Sequence, residues 1–498
     1  MRKAVLGIAS LLCAGLVVGC GGNGTKTSTT GEVPVVLTIQ NQAGTGTSTL
    51  SYSIEVTGVS LQGSTSNQSN VSLLSSPVTV NLDNLQSINT LLNNTSAAAG
   101  TYSGIMITFA MPQISLLNNT GSNLTDGTNT CASSTTTSQP CVLSPALTQS
   151  SVTITSSPFP LTLTAGTPVN LAIDFNTAAS IVIASGSVSI TPSVTVTSNS
   201  TVNATTNNLN DFSNITGQVT SASNNQVTVT DLSTGQPLTL ATNSSTTYTG
   251  YNTSATCTTA NTFACIQTGN IVNFSYGITG ASGSVPTLES LNYNSGVTNG
   301  LTGTVLGPLS NGTFPVLITS ETPAYQGTNG SMVGETVLVS PATGATFQPQ
   351  LNGGTEPAGV SFASSADLVP GQSVLLDSTG FTAGTGTAPG TLTTDNVTLF
   401  PSQFNGTINT LDSSNQTLTL NGLGGLYTTN GINAVNVNTT SSTFYTGVTG
   451  GFTGLTAGTN ATFGGLLYNT PASPTTPTLE AGQIGVTTTA AAAATAVR

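Results

Sequence analysis

No lysine, arginine or histidine stands between Thr27 and Val497; the four basic residues are Arg2, Lys3, Lys26 and Arg498, and histidine is absent altogether. A folded body drawn from this stretch forms no side-chain salt bridge, so apolar burial and hydrogen bonds must hold it. Without histidine there is no Ser-His-Asp triad, no imidazole metal ligand, and no side chain that titrates near neutral pH unless its surroundings shift it. Sixteen acidic residues leave a formal charge of −12, which disfavours nucleic acid, because binding it depends on cations that neutralise phosphates. Disordered chains pair low hydrophobicity with high net charge. Here Val, Ile and Leu recur between Thr, Ser and Asn, so the chain reads as folded, and 498 residues suggest three or four domains.

The recurrence has period two. Val35-Val36-Leu37-Thr38-Ile39, Tyr52-Ser53-Ile54-Glu55-Val56 and Val78-Thr79-Val80-Asn81-Leu82 are bounded by Gly, Asn and Ser and read as strands. Residues 85–92, apolar at Leu85, Ile88, Leu91 and Leu92, are expected as one short helix. Residues 199–210 read as a polar linker. Beyond it the chain repeats itself. Ile215-Thr216-Gly217-Gln218-Val219, Leu301-Thr302-Gly303-Thr304-Val305 and Phe404-Asn405-Gly406-Thr407-Ile408 open three units. A second strand follows each, then a turn and strand beginning at Gly269, Gly371 and Gly458, then Thr287-Leu288-Glu289, Thr391-Leu392-Thr393 or Thr478-Leu479-Glu480. Four markers in one order, three times, indicate tandem domains. The Gly before the later strand is expected to supply a turn with positive φ.

The N-terminus carries its own signal. Met1-Arg2-Lys3 precedes an apolar stretch over 4–18 that is too short for a comfortable membrane span. It ends in Leu16-Val17-Val18-Gly19-Cys20, which resembles the bacterial lipobox. The resemblance implies cleavage before Cys20 and lipid on that residue, with Gly21 rather than Asp after it implying export to the outer membrane. Two or three acyl chains make such an anchor effectively stable. Of six cysteines, Cys13 leaves with the signal and Cys20 carries lipid, so Cys131, Cys141, Cys257 and Cys265 remain. An exported compartment permits disulfides. Three connectivities are open, and Cys131–Cys141 with Cys257–Cys265 is favoured because each couple lies within one expected domain. A zinc site made from all four thiols is disfavoured by spacings too wide for zinc ribbons.

Catalytic constellations are weak. Leu375-Leu376-Asp377-Ser378-Thr379-Gly380 is like an aspartic-protease loop, but with one residue too many before Gly and no second loop to share a proton. Gly359-Val360-Ser361 is a poor nucleophile elbow and lacks a histidine base. Carboxylate pairs for glycoside cleavage are unspecific among sixteen acids, and tryptophan platforms are absent. Asn123, Asp126 and Asn129 form an oxygen-rich calcium candidate without regular spacing or a closing Glu, so an Asx-rich turn is favoured. Asp174, between Ile173 and Phe175, is expected to face solvent or cap a turn, and Tyr102 to be core or a strand-edge anchor.

Two family resemblances follow from these motifs. The I-T-G-x-V openings and the L-x-x-G-x-x-V-x-F strands look like the domain of unknown function 5666 family, over about residues 214–487, which implies small OB-like barrels. Val80-Asn81-Leu82-Asp83-Asn84-Leu85, the run Ala99-Gly100-Thr101-Tyr102-Ser103-Gly104-Ile105, and the closing segments around Leu171-Ala172-Ile173-Asp174-Phe175 and Gly186–Val194 are similar to the domain of unknown function 4382 family of bacterial lipoproteins, over roughly 33–197. That resemblance implies a β-sandwich. Neither brings catalytic residues.

The expected protein is therefore all-β: an N-terminal β-sandwich followed by three tandem small OB-like β-barrel domains in a row. Its segments are a signal at 1–19, a lipidated tether at 20–32, the sandwich at 33–197, a linker at 198–213, barrels at 214–296, 297–402 and 403–487, and a low-complexity tail at 488–498. The expected function is non-enzymatic, with no cofactor and no metal. It is a lipid-anchored envelope protein at the outer membrane, a surface binding or adhesion protein. The alternative is a periplasmic scaffold that self-associates or holds an envelope partner, since sheet edges here lack guarding lysines. Expected partners are the membrane, through the N-terminal lipid, and a polysaccharide or envelope protein, with nucleic acid excluded.

Overall fold

The computed structural model describes residues 31–486 except 42–48, 66–67, 87, 134–139, 205, 252, 255–256, 282–283, 295–299, 323–324, 326–330, 352–355, 385–387 and 471–474. The signal segment, Cys20, most of the tether, the tail and all four basic residues lie outside the described residues.

The first domain is built on two main sheets. In one, Glu32–Asn41 pairs in parallel with Val169–Phe175 and antiparallel with Thr90–Ala98, and Val194–Asn199 closes the edge. In the other, Thr49–Gly63 and Gly100–Leu116 form a long antiparallel pair. Their inner faces meet through Val33, Val35, Leu37 and Ile39 on one side and Tyr52, Ile54, Ile105 and Ile107 on the other. Phe175 sits between Tyr52 and Phe109, edge-on to both at centroid distances of 5.6 Å. The apolar run from Val33 is nearly unbroken because this strand is buried on both faces. Its odd residues enter the sandwich core, while Val36 joins the core of the first barrel with Phe212 and Tyr276.

Three barrels follow, with strands spanning 210–294, 300–400 and 402–486; the third is a closed barrel of five strands, and in the first two a ring of five strands carries a sixth short strand, Thr247–Thr249 or Gly380–Thr382, on its last strand. Each has the same order: strand one pairs with two and four, four with five, and five returns in parallel to three. A 3-10 turn precedes strand four every time, at Phe263–Cys265, Ser365–Asp367 and Gly451–Gly454. This is the all-β architecture the repeats imply, with OB-like barrels.

The repeat markers have a common cause. Gly269, Gly371 and Gly458 have φ of 92°, 91° and 83°. Each donates its N–H to the last residue of the opening motif: to Val219 O at 2.8 Å, Val305 O at 2.8 Å and Ile408 O at 2.7 Å. Those residues donate back to the carbonyls of Asn270, Gln372 and Thr459. The opening motif and the later Gly thus recur together because they clasp each other.

Three expectations change. Residues 85–92 are not a helix: Leu82–Leu85 is a 3-10 turn, and Leu91 and Leu92 belong to the strand Thr90–Ala98. Apolar residues of two elements mimicked one helical face. The first barrel strand, Asn210–Ser223, reaches back into the stretch read as linker, where Phe212 stacks on Tyr276 at 4.5 Å. The barrels are consecutive in the chain but not strung out. Leu117 of the sandwich packs with Leu306 and Leu317 of the second barrel and Leu426 of the third, and Ile271 of the first barrel packs with Leu375 and Phe400 of the second. Burying those residues gains apolar contact that a beaded string would forgo.

Candidate functional site

Sandwich and barrels together line an open cavity of about 590 Å³, a size usual for small-ligand sites. The sandwich contributes Asp83 and Gln86, the first barrel Asp231, the second Ser373 and Phe400, and the third Asn405, Tyr427 and Glu480.

Local sequence sets the sandwich wall. Asn81 Oδ1 accepts the Asp83 N–H at 3.2 Å and caps the 3-10 turn. The turn buries Leu82 and Leu85 and leaves Asp83 on the cavity side. Asn81 Nδ2 donates to Thr319 O of the second barrel at 2.9 Å, so one Asn both caps the turn and docks a domain.

A directional chain crosses from sandwich to third barrel. Asn405 Nδ2 donates to Gln86 Oε1 at 2.9 Å, and Gln86 Nε2 donates to Asp83 Oδ1 at 3.2 Å. An ionised carboxylate only accepts, so it fixes the Gln86 amide and, through it, the Asn405 amide. The consequence is two buried acceptors without donors, Asp83 Oδ2 and Asn405 Oδ1. Burial pushes the Asp83 carboxyl up to about 7, against the Gln86 amide and the Tyr52 backbone N–H, which favour its charged form. Asp83 as a residue is half-buried and lines the cavity, while its Oδ2 is buried.

The other carboxylates of the wall are engaged. Asp231 accepts from Thr90 Oγ1 at 2.9 Å, across the junction of sandwich and first barrel, and from Ser233 N at 2.7 Å and Ser233 Oγ at 2.6 Å. Burial raises its pKa, and the same cause raises that of Glu480, which accepts from Asn438 Nδ2. Hydroxyls, amides, carboxylates and aromatic rings share the wall with aliphatic side chains such as Leu50, Ile88, Leu426 and Leu466, and no cation lies between Thr27 and Val497 to oppose the carboxylates. Such a site repels anions and suits neutral or cationic ligands rich in hydrogen-bond donors.

A shallower groove of about 480 Å³ runs over the third barrel, past Thr417, Thr419, Asn436 and Asn438. These lie on strands two and three, the face that OB-like barrels offer to oligosaccharides and oligonucleotides.

The sequence candidates fall elsewhere. Cys131 pairs with Cys141 and Cys257 with Cys265, at Cα separations of 5.6 and 4.5 Å, within the sandwich and the first barrel; the four-thiol alternative is therefore not formed. The calcium candidate is an Asx turn. Asp126 Oδ1 accepts the N–H groups of Thr128 and Asn129, Oδ2 accepts Ser144 N and Asn129 Nδ2, and Asn123 Oδ1 accepts Ser133 N. Those donors outweigh desolvation and hold the Asp126 carboxyl far below the usual range. Asp377 ends the strand Ser373–Asp377 before a turn. Ser361 is exposed in a loop beside Gly359, whose φ is 86°. Asp174 is half-buried on the outer face of its sheet and takes a hydrogen bond from the Gln40 side chain, with burial raising its pKa. Tyr102 is core, its hydroxyl donating to Ala98 O at 2.8 Å. None of these lines the cavity. Asp83, Gln86, Asp231 and Asn405 were not singled out; only the Asn81-x-Asp83 capping pattern between apolar residues marked the first of them.

The sandwich matches a known family: the model of the Domain of unknown function (DUF4382) family covers residues 36–192. The matched segment includes Asp83 and the junction residues Asn81, Gln86 and Thr90. No curated protein and no solved structure matches the chain.

Proposed function

We propose that this is a non-enzymatic, lipid-anchored protein of the bacterial cell envelope that binds a hydroxyl-rich ligand, a saccharide, in the cavity between sandwich and barrels. The observation that carries the reading is the cavity itself, walled by four domains with neutral donors and acceptors and carboxylates, and with Phe404 and Tyr427, rings of the third barrel's core, among its lining residues. Aromatic rings give a pyranose an apolar platform, and amides and hydroxyls satisfy its edge. The anchor rests on Leu16-Val17-Val18-Gly19-Cys20, with Cys20 the lipidated residue and the outer membrane the expected site. The barrels, which resemble the domain of unknown function 5666 family, add a second polar groove on the third barrel, edged by Gly359 and Val360 of the second.

The test is titration of the purified mature chain against a broad panel of mono- and oligosaccharides, with the unfolding midpoint as a second readout. Saturable binding raises the midpoint by mass action. No binding and no midpoint change across the panel overturns the reading. Proteinase K treatment of intact cells settles whether the protein faces outward.

A second reading, a self-associating scaffold, has one specific support. The first two barrels offer only the short edge strands Thr247–Thr249 and Gly380–Thr382, whereas the apolar strand Ile181–Ala184 of the sandwich also pairs on one side only among the described residues. Val182 and Ile183 on it are 38% and 49% exposed, without a guarding charge. Sedimentation showing a monomer at high concentration removes that reading.

A further inference from the structure

We infer that the ligand of the junction cavity carries a protonated amine, and that Asp83 is its counter-ion: the chemical class is an amino sugar or a comparable hydroxylated amine. The inference rests on the cavity being the binding site proposed above. It starts from the polarity of the chain Asn405 → Gln86 → Asp83. Each amide in that chain directs a donor inward, toward the carboxylate. The chain leaves two buried acceptors without a donor, Asp83 Oδ2 and Asn405 Oδ1. Both residues line the cavity. Torsions at the ends of Asp and Asn side chains are broad, so small rotations bring either oxygen to the cavity surface. A ligand that satisfies both must donate, and an ammonium group offers three donors and no acceptor.

Charge selects among donors. Asp83 has no cationic partner among the described residues, because none of them between Thr27 and Val497 is basic. Its surroundings are Tyr52 and Gln86 from the sandwich, and Asp231 and Glu480 contribute only more negative charge to the same cavity wall. A buried carboxylate without a counter-charge is costly, and a bound cation removes that cost. A neutral hydroxyl donates a hydrogen bond but leaves the charge uncompensated. Burial raises the carboxyl to about 7, which is the same lack of a counter-ion seen from the proton's side.

The experiment compares three ligands of nearly one shape on the full mature chain: the β-1,4 disaccharide of glucosamine, the same disaccharide fully N-acetylated, and cellobiose. At pH 7.5 the amine form is expected to bind at least about tenfold more tightly than either neutral form, a modest requirement for a partly desolvated charge pair. Asp83→Asn keeps the shape and the contact with Gln86, and is expected to abolish the preference for the amine form over the neutral forms. An unfolding midpoint close to the wild type's reports that the variant is folded. Lowering the pH to 5 protonates Asp83 and is expected to shrink the preference in the wild type. Equal affinity for amine and acetylated forms overturns the inference and leaves the saccharide reading standing. Neutral binding that survives with an amine preference untouched by Asp83→Asn also overturns it. No binding of any of the three, with no binding across the wider panel, overturns the saccharide reading itself.

Discussion

Thr90 of the sandwich donates its hydroxyl to Asp231 of the first barrel at 2.9 Å, and both residues are buried, at 1% and 6% exposure. The bond joins two domains through an anion that no cation balances. Removing the donor and removing the charge should therefore act oppositely. Thr90→Val strands a buried carboxylate oxygen and is expected to cost about 1–3 kcal/mol. Asp231→Asn keeps an acceptor for Ser233 and drops the desolvated charge, so at pH 8 it is expected to be neutral or stabilising. Urea unfolding of both variants checks this; a large loss in Asp231→Asn shows that the charge itself is favourable there.

The same imbalance sets the response to pH. Burial raises the carboxyls of Asp83, Asp174, Asp231, Glu289, Glu321 and Glu480. A carboxyl raised in the folded state binds its proton more tightly there than in the unfolded chain. Its contribution to stability is full below roughly pH 4 and is lost as pH rises through the folded value, about 7 for Asp83. Asp126 and Asp412 are held low by N–H and O–H donors, Asp412 at about 2, and their contribution is lost only below roughly pH 4. Between pH 8 and pH 5 the raised groups act alone, and protonation also relieves the self-repulsion of a −12 chain. The urea midpoint is expected to rise from pH 8 to pH 5. A midpoint that falls over that range contradicts the reading.

The Gly of each opening motif sits where strand one crosses the second strand. A Cβ at Gly217 meets Val229 Cγ1 at 2.3 Å and Thr230 O at 2.7 Å; at Gly303 it meets Leu317 O and Val316 Cγ1 at 2.5 Å; at Gly406 the nearest atoms are at 3.3 Å. Alanine at 217 and 303 forces backbone to shift, with an expected cost of about 1–3 kcal/mol or more, whereas Gly406→Ala is expected to cost under about 1 kcal/mol. The order of the three unfolding midpoints is the check. Equal losses contradict the packing argument.

What the sequence shows and hides divides along the range of the interactions. The three barrels were legible because their markers are local: a Gly with positive φ, an alternating strand, a clasp that recurs with the repeat. The β-branched run from Val33 carried a further signal, since a strand apolar at consecutive positions is covered on both faces, and Val36 is indeed taken by the first barrel. The cavity was not legible. Its wall is joined by single amides and hydroxyls hundreds of residues apart, such as Asn405 to Gln86 and Asn81 to Thr319. In a chain crowded with Asn, Gln, Ser and Thr, nothing local distinguishes those residues from solvated ones.

Gly371 and Gly458 test whether the barrels pack in solution as described. The two share a left-handed φ, 91° and 83°, and the same N–H bond to the opening motif. Alanine at either strains the backbone by about 1–2 kcal/mol. Around Gly458 there is open space, so strain is the whole expected cost there. A Cβ at Gly371 lies 2.4 Å from Tyr427 Oη and 2.5 Å from Cε1 and Cζ, and Tyr427 belongs to the third barrel. Gly371→Ala therefore also pushes two domains apart, with an expected further cost of about 1–3 kcal/mol. The excess should vanish in a Tyr427→Leu background, where the ring is gone, while Gly458→Ala costs the same in both. A double-mutant cycle measures this as a coupling between 371 and 427. Zero coupling means that the second and third barrels do not meet through this contact, and the cavity they help to wall would lose that side.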